Sequence, residues 1–219
     1  MDNKHNSERR WVAFYSQTGS EIKSLIKMGL VPDVIITDNK TSYDDNYSYF
    51  SSFGISQVKV KTKTEVYEYQ SYITVNDLIT LHGWLNIVPR DICDHYSVFN
   101  GHPGLITEYE ELKGKDPQSR TWQVLDEYAY IGSVIHRVSP EIDGGEVIVV
   151  ADQEMSGITI QSEKSLFSIL SKLSLNAWEY FLYVADRVPD EDKELQYNGK
   201  MKQPLPGDNL PFYVYNTNY

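Results

Sequence analysis

Short apolar runs and longer stretches with apolar residues at helical spacing follow one another along this chain. The short runs predict β-strands, at Trp11–Tyr15, Val34–Thr37, Gln57–Lys63, Leu78–Leu81, Ser97–Phe99, Gly132–Val138 and Glu146–Ala151. The helical spacing predicts α-helices at Ser20–Met28, Thr121–Tyr128 and Lys164–Arg187. Alternating strands and helices form a mostly parallel sheet covered by helices. We therefore expect an α/β fold with a Rossmann-like, mostly parallel twisted sheet flanked by helices.

Length and composition fit one domain with two flanking segments. The chain has 219 residues, of which 41% are hydrophobic, enough for a single full core. Residues 1–10 predict a flexible N-terminus, and residues 11–188 hold the predicted elements. Residues 189–219 are rich in Pro, Gly, Asp and Asn, and predict a C-terminal tail that packs on the domain or on a partner subunit. The 17 tyrosines are typical of half-buried surfaces or of an oligomer contact, which leaves a homodimer open.

The charge and the cysteine content exclude several classes of protein. A formal net charge of −11 argues against a nucleic-acid partner, because such proteins carry basic clusters. No apolar run approaches the roughly 18 residues that a membrane span needs, so we expect no membrane contact. The single cysteine, Cys93, cannot form an internal disulfide and fits a cytoplasmic location. No cluster of Cys and His residues predicts a metal site.

Three polar residues that can catalyse acyl transfer lie near the ends of predicted strands. Asn100 and His102 follow one apolar run, and Asp143 follows another. In an open α/β sheet, ligands bind outside the carboxyl ends of the strands. An amide and an imidazole can donate to the oxyanion that forms when an amine attacks an acyl carbon, and a carboxylate can orient the imidazole or accept a proton. Each residue also suits an ordinary turn, so residue type alone leaves both interpretations open.

The turn after the first strand, Ser16–Ser20, and the segment after the fourth strand are candidate binding segments. Backbone N–H groups and hydroxyls at the start of a helix can bind a phosphate. Glu21 would repel that phosphate, and Ser20 can instead cap the helix. After the fourth strand, Trp84 and Leu85 offer a flat apolar wall for a heterocycle, unless Trp84 packs in the core.

Taken in their order along the chain, these segments resemble the folate-dependent formyltransferase family, most closely its glycinamide ribonucleotide branch. The motif Asn-x-His-Pro is present as Asn100-Gly101-His102-Pro103, and the loop Glu-x-Asp-x-Gly as Glu141-Ile142-Asp143-Gly144-Gly145. The turn at Ser16–Ser20 and the Gly83-Trp84-Leu85 segment are also similar. The resemblance covers roughly residues 11–187.

The resemblance implies transfer of a formyl group from the cosubstrate 10-formyltetrahydrofolate to the primary amine of a small phosphorylated acceptor, without a metal. Asn100, His102 and Asp143 are then the catalytic residues. The residues implied to bind folate are Trp84, Leu85, Asn86, Val88, Ile92, Cys93, Glu141, Ile142 and Gly144. The residues implied to bind the acceptor are Thr18, Gly19, Ser20 and Pro103.

Several positions depart from the family's pattern and leave the acceptor open. Gln17 and Glu21 stand where the family usually has glycine and asparagine. Ser174 stands where the glycinamide ribonucleotide enzymes have a glutamate that binds the acceptor's ribose, and Gly114–Trp122 is similar to a segment of the sugar-nucleotide and methionyl-tRNA formyltransferases. We expect either glycinamide ribonucleotide or a nucleotide-linked amino sugar as the acceptor, because the net charge disfavours tRNA. The alternatives are a 10-formyltetrahydrofolate hydrolase and a catalytically silent homologue that binds folate or a nucleotide.

Overall fold

A computed structural model gives the fold and describes residues 9–38, 43–61, 65–182, 201–202 and 213–216. Within these residues nine strands form one sheet: β1 (Trp11–Tyr15), β2 (Val34–Thr37), β3 (Ser56–Lys59), β4 (Leu78–Leu81), β5 (Val98–His102), β6 (Tyr130–Arg137), β7 (Val147–Glu154), β8 (Met201–Lys202) and β9 (Tyr213–Asn216). The helices of the same residues are α1 (Ser20–Lys27), α2 (Tyr43–Ser51), α3 (Val66–Gln70), α4 (Arg90–His95), α5 (Pro117–Gln123) and α6 (Glu163–Leu182). Short 3-10 turns, Glu110–Leu112 and Leu125–Glu127, flank α5.

The order of the strands places a crevice at the carboxyl ends of β1 and β4. Across the sheet the order is β3-β2-β1-β4-β5-β6-β7-β9-β8. The first five strands in this order are parallel to one another, whereas β6 is antiparallel to both of its neighbours, β5 and β7. The chain runs outward from β1 to β3 and then returns to β4 on the other side of β1, and ligands of open α/β sheets bind at such a reversal. The predicted Rossmann-like, mostly parallel fold is confirmed.

Strand β1 is buried on both faces of the sheet, which explains its uninterrupted apolar sequence. Trp11, Ala13 and Tyr15 belong to a core cluster that includes residues of α1 and α6. Val12 and Phe14 belong to a second cluster. This alternation follows from the opposite directions of successive side chains in a strand. The sheet therefore separates two apolar layers, and α6 packs in the first of them.

Most predicted elements are confirmed, several of them with other bounds. The strands β1, β2 and β4 have the predicted bounds, whereas β3 ends at Lys59 instead of Lys63, and β5 ends at His102 instead of Phe99. The predicted helix at Thr121–Tyr128 begins earlier and is interrupted, because α5 begins at Pro117 and ends at Gln123 and a 3-10 turn follows it. Proline suits the first turn of a helix because its missing N–H has no partner to lose there. Helix α6 matches the predicted long helix up to Leu182, and residues 183–187 lie outside the described residues.

The apolar pattern did not indicate α2, α3 and α4, for two different reasons. Helices α3 and α4 have five and six residues, which is too short for a repeating apolar face. Helix α2 consists largely of Tyr, Asp, Asn and Ser, residue types with modest helix propensity. The apolar pattern therefore carries no signal for these three helices.

Parts of the predicted terminal segments lie outside the described residues. Residues 1–8 of the predicted N-terminal segment are outside, but Arg10 forms an ion pair with Asp77, with 2.6 Å between Nη2 and Oδ2. Of the predicted tail, the structure describes the backbone of β8 and β9, and β9 pairs in parallel with β7. No helix in the described part of the chain is long and apolar enough to cross a membrane.

Replacing Leu170 with alanine tests the packing of α6. Leu170 is fully buried in the cluster that joins α6 to the sheet, so the substitution should lower the free energy of unfolding by about 2–5 kcal/mol. Urea denaturation measures this change. The control is Val75→Ala at a side chain that is 59% exposed, which should change the free energy by no more than about 0.5 kcal/mol. Equal effects of the two substitutions would contradict the described core.

Candidate active site

The carboxylate of Asp143 lies between two imidazole rings. Its Oδ2 is 3.3 Å from Nδ1 of His102, and its Oδ1 is 3.3 Å from Nε2 of His136. The side-chain amide nitrogen of Asn100 is 3.1 Å from the same Nε2 of His136. The structure therefore brings Asn100, His102 and Asp143, the three residues predicted to be catalytic, into one group with His136.

The antiparallel pairing of β5 and β6 positions two members of this group. Asn100 is directly opposite His136 in the ladder, and side chains at opposite positions are close enough to interact. His102 lies two residues beyond Asn100, so it projects from the same face of β5. Asp143 comes from the turn after β6, where its φ is 48°. Aspartate adopts this left-handed conformation more readily than most residues do.

Two backbone carbonyl groups fix one proton on each imidazole. The Nε2 of His102 is 2.9 Å from the carbonyl oxygen of Leu112, and the Nδ1 of His136 is 3.0 Å from that of Arg137. A carbonyl oxygen only accepts hydrogen bonds, so both nitrogens carry a proton. The other nitrogen of His102, Nδ1, faces Asp143 and is the one that gains a proton when the ring becomes charged. The predicted oxyanion donor of His102 is thus bonded to Leu112 in this structure.

Burial and charge together set the ionisation of this pair. Burial lowers the pKa of His102, and the carboxylate of Asp143 offsets only part of this effect. Burial alone would raise the pKa of Asp143, but the contacts with His136 and His102 and the N–H of Gly114 outweigh it, so that pKa is lowered. At neutral pH the pair therefore consists of an uncharged imidazole and an ionised carboxylate. Such a pair can take up one proton.

The loop between β5 and α5 holds both residues in place. Its Leu112 carbonyl accepts a hydrogen bond from His102, and its Gly114 N–H donates to Oδ2 of Asp143 at 2.8 Å. The guanidinium of Arg120 in α5 donates to four carbonyl groups of the same loop, those of Glu111, Leu112, Lys113 and Lys115. Arg120 therefore acts on the site through the backbone of this loop.

A cleft of about 460 Å³ lies at the carboxyl end of β5, and Asn100, His102, His136 and Asp143 are not among the residues that line it. It is lined by Gly101 and Pro103, the two neighbours of His102, and by parts of the β1–α1 turn and α6. All four residues predicted to bind the acceptor line it: Thr18, Gly19, Ser20 and Pro103. A Cβ at position 101 would lie 2.6 Å from Nε1 of Trp178, so glycine at this position lets α6 approach the strand closely.

Helix α2 and a left-handed glycine shape the β1–α1 turn. Gly19 is the N-cap of α1 with a φ of 65°, a conformation that glycine adopts at little cost. Asn46 of α2 donates from Nδ2 to the carbonyl oxygen of Thr18 at 3.0 Å. Because the N-cap is Gly19 and has no side-chain cap, the alternative in which Ser20 caps the helix is wrong. The hydroxyls of Thr18 and Ser20 are 3.0 Å apart and exposed.

Some of the residues predicted to bind folate are buried. Four of them pack in the second core cluster: Trp84, Val88, Ile92 and Cys93. Trp84 is 8% exposed, and its Nε1 donates to the hydroxyl of Tyr69 at 3.1 Å. The prediction that its ring forms an open wall is therefore wrong, and the alternative of core packing is the one that the structure shows.

The other residues of this set lie on the surface of two loops. Leu85 and Ile142 are 69% and 68% exposed, although both are large and apolar. Asn86 donates to Asp38 at the end of β2, with 2.9 Å between Nδ2 and Oδ2. The remaining two, Glu141 and Gly144, are exposed in the turn that carries Asp143. Over the described ranges, no group of His, Cys, Asp and Glu side chains is arranged to hold a metal ion.

The sequence analysis did not identify His136 as a site residue. It is 3% exposed and lies in β6 between Ile135 and Arg137. A histidine directly after the apolar run Val134-Ile135 was the available signal, because a buried imidazole requires polar partners. Its partners, Asn100 and Asp143, become evident only when the register of β5 and β6 is known.

A family model supports the interpretation of this site. Residues 34–167, more than half of the chain, match the model described as formyl transferase. The chain therefore belongs to the formyl transferase family, as its motifs predicted. Among curated proteins, none gives a significant match.

Solved structures with a similar fold include enzymes of one-carbon transfer. The phosphoribosylglycinamide formyltransferase of Anaplasma phagocytophilum is 22% identical, with 94% of this chain and 98% of that chain covered and a TM-score of 0.70. The glycinamide ribonucleotide transformylase 1 of Symbiobacterium toebii is 15% identical, with coverages of 85% and 92% and a TM-score of 0.67. A formyltetrahydrofolate deformylase of Pseudomonas syringae is 17% identical, with coverages of 84% and 65% and a TM-score of 0.64. At these identities the likeness shows a shared fold.

The substitution Asp143→Asn tests the charge coupling within the site. It removes the negative charge that favours the imidazolium form, so the pKa of His102 should fall further below its ordinary value. Imidazole NMR shifts followed against pH measure this pKa. Asp126→Asn, at an exposed position, is the matched control and should leave it unchanged. A pKa of His102 that rises or stays the same in Asp143→Asn would show that the pair is not coupled.

Proposed function

We propose that this protein transfers a formyl group from 10-formyltetrahydrofolate to the primary amine of a small acceptor. The observation that carries the proposal is the contact of His102 with Asp143 in one group with Asn100, near the carboxyl end of β5. Membership of the formyl transferase family supports the choice of reaction. Glycinamide ribonucleotide and a nucleotide-linked amino sugar are the candidate acceptors.

The geometry suits a direct attack of the amine on the formyl carbon. As the new C–N bond forms, the formyl oxygen gains negative charge, and the amide of Asn100 donates a hydrogen bond to it. The Nε2–H of His102 stays bonded to the Leu112 carbonyl, which leaves its Nδ1, beside Asp143, as the proton acceptor. The proton of the amine passes through a water molecule to the Asp143–His102 pair. The tetrahedral centre then collapses, the bond to N10 of the folate breaks, and N10 takes the proton back from the Asp143–His102 pair.

In this proposal two exposed loops hold the folate. The loops are residues 85–88 and 141–144, and their backbone groups would bind the polar edge of the pterin ring. The exposed apolar side chains of Leu85 and Ile142 would be covered when the ring binds. Ligand sites commonly combine apolar surface with a few placed polar groups in this way.

The substitution His102→Ala tests the catalytic assignment. It removes the proton acceptor, so turnover should fall by a factor of about 10² to 10⁴, while circular dichroism shows an intact fold. Release of tetrahydrofolate, followed by absorbance with glycinamide ribonucleotide and amino-sugar nucleotides as acceptors, measures turnover. His95→Ala, at an exposed position on α4, is the matched control and should keep normal turnover. Near-normal turnover in His102→Ala would refute the assignment.

The same assay separates the proposal from its two alternatives. A hydrolase would release formate at the same rate with and without an amine. A catalytically silent homologue would bind the folate and turn over no amine. Formyl transfer that depends on the concentration of the amine is the result that the proposal requires.

A further inference from the structure

Glu21 of α1 forms a second polar network at the cleft, without contact to the Asp143 group among the described hydrogen bonds. Its Oε1 accepts a hydrogen bond from the hydroxyl of Ser174 at 2.6 Å. Its Oε2 accepts from Nε1 of Trp178 at 3.0 Å and lies 2.7 Å from Nδ1 of His82. Three donors from β4 and α6 thus converge on one carboxylate of α1.

The network has a consistent assignment of protons. The Nε1–H of Trp11 donates to the hydroxyl of Thr80 at 2.7 Å, and this hydroxyl is 2.8 Å from Nε2 of His82. Thr80 then donates to Nε2, and His82 donates from Nδ1 to Glu21. Burial raises the pKa of Glu21, but the hydrogen bonds and the contact with His82 outweigh it and lower that pKa. Glu21 is therefore ionised at neutral pH.

Apart from His82, whose Nδ1 is 2.7 Å from Glu21, no side chain on the described walls of the cleft can carry a positive charge. Among the described lining residues there is neither lysine nor arginine, and the polar ones besides Glu21 and His82 are uncharged: Gln17, Thr18, Ser20, Ser24, Gln118, Ser171 and Ser174. The N-terminus of α1 would attract an anion, but Glu21 in its first turn already provides one. A phosphate bound here would meet an anion and gain no charged partner from these walls.

We propose that this cleft binds an uncharged, hydroxyl-rich part of the acceptor, such as the ring of an amino sugar, with one hydroxyl donating to Glu21. An ionised carboxylate offers about four acceptor positions, and the described donors use three of them, which leaves one on Oε1. The hydroxyls of Thr18, Ser20 and Ser171 can bond the rest of such a ring. Any phosphate of the acceptor then lies outside the cleft, in contrast to the phosphate predicted at Thr18–Ser20. This inference rests on the proposed function in one point only, namely that the ligand of the cleft is the formyl acceptor.

Binding measurements test this inference without any need for turnover. The probes are sugars without an ionised amine, glucose and N-acetylglucosamine, each titrated by calorimetry with and without a phosphate group. Wild-type protein should bind the sugar without phosphate at least about tenfold more tightly than the phosphorylated one. Glu21→Gln should weaken binding of the former by about 10- to 100-fold, the range expected for a lost charge-assisted hydrogen bond. The matched control, Glu154→Gln at an exposed position, should change neither affinity.

A second variant and a second probe allow the inference to be tested even if Glu21→Gln does not fold. Ser171→Lys adds a cation at an exposed position of the cleft wall, and should raise the affinity for the phosphorylated sugars relative to the others. Inorganic phosphate should cause no saturable NMR shift of the Gly19 and Ser20 amides in the wild type. The inference is overturned by such a shift, by tighter binding of phosphorylated sugars, or by wild-type protein that binds none of the sugars.

The outcomes for the inference and for the proposed function can be told apart. Sugar binding that depends on Glu21, together with no formyl transfer to any amine, would refute the function and support the site. Formyl transfer that depends on His102, together with saturable phosphate binding at Gly19 and Ser20, would refute the site and support the function.

Discussion

The candidate active site depends on one shared carboxylate. Each oxygen of Asp143 faces a buried imidazole, so its charge sets the protonation of His102 and the orientation of His136. A buried charge persists only where hydrogen bonds compensate for lost hydration. The backbone supplies that compensation, because the turn after β6 adopts a left-handed conformation at position 143 and Gly114 donates an N–H. Arg120 then fixes the loop that contains Gly114.

Two carboxylate–histidine pairs thus occur at the carboxyl ends of neighbouring strands, and their partners give them different properties. Asp143 faces an unprotonated nitrogen of His102 and can share an incoming proton. Glu21 accepts hydrogen bonds from His82, Ser174 and Trp178, and these hydrogen bonds stabilise its negative charge. A ligand in the cleft must therefore present hydroxyl or amine donors to Glu21. This requirement links the proposed chemistry at His102 to the proposed choice of acceptor.

The sequence predicted the central sheet well, because β1, β2 and β4 are buried and therefore apolar without interruption. It also pointed to Asn100, His102 and Asp143, but the expected shared edge holds only for the parallel strands. Because β6 is antiparallel to β5, the turn after β6 has to bring Asp143 back to His102. It could not reveal the bond between Glu21 and Ser174, whose positions are 153 residues apart. Likewise, the contact between His136 and Asn100 depends on the register of β5 and β6. The short helices were missed because they lack a periodic apolar signal.

The central claim is that His102 and Asp143 act as one unit, and a double-variant cycle of turnover tests it most directly. Formyl transfer is measured for the wild type, for His102→Ala, for Asp143→Asn and for the protein with both substitutions. If the two residues share one proton, the protein with both substitutions should be about as slow as the slower single variant. Rate losses that multiply would show that the residues act independently and would contradict the account.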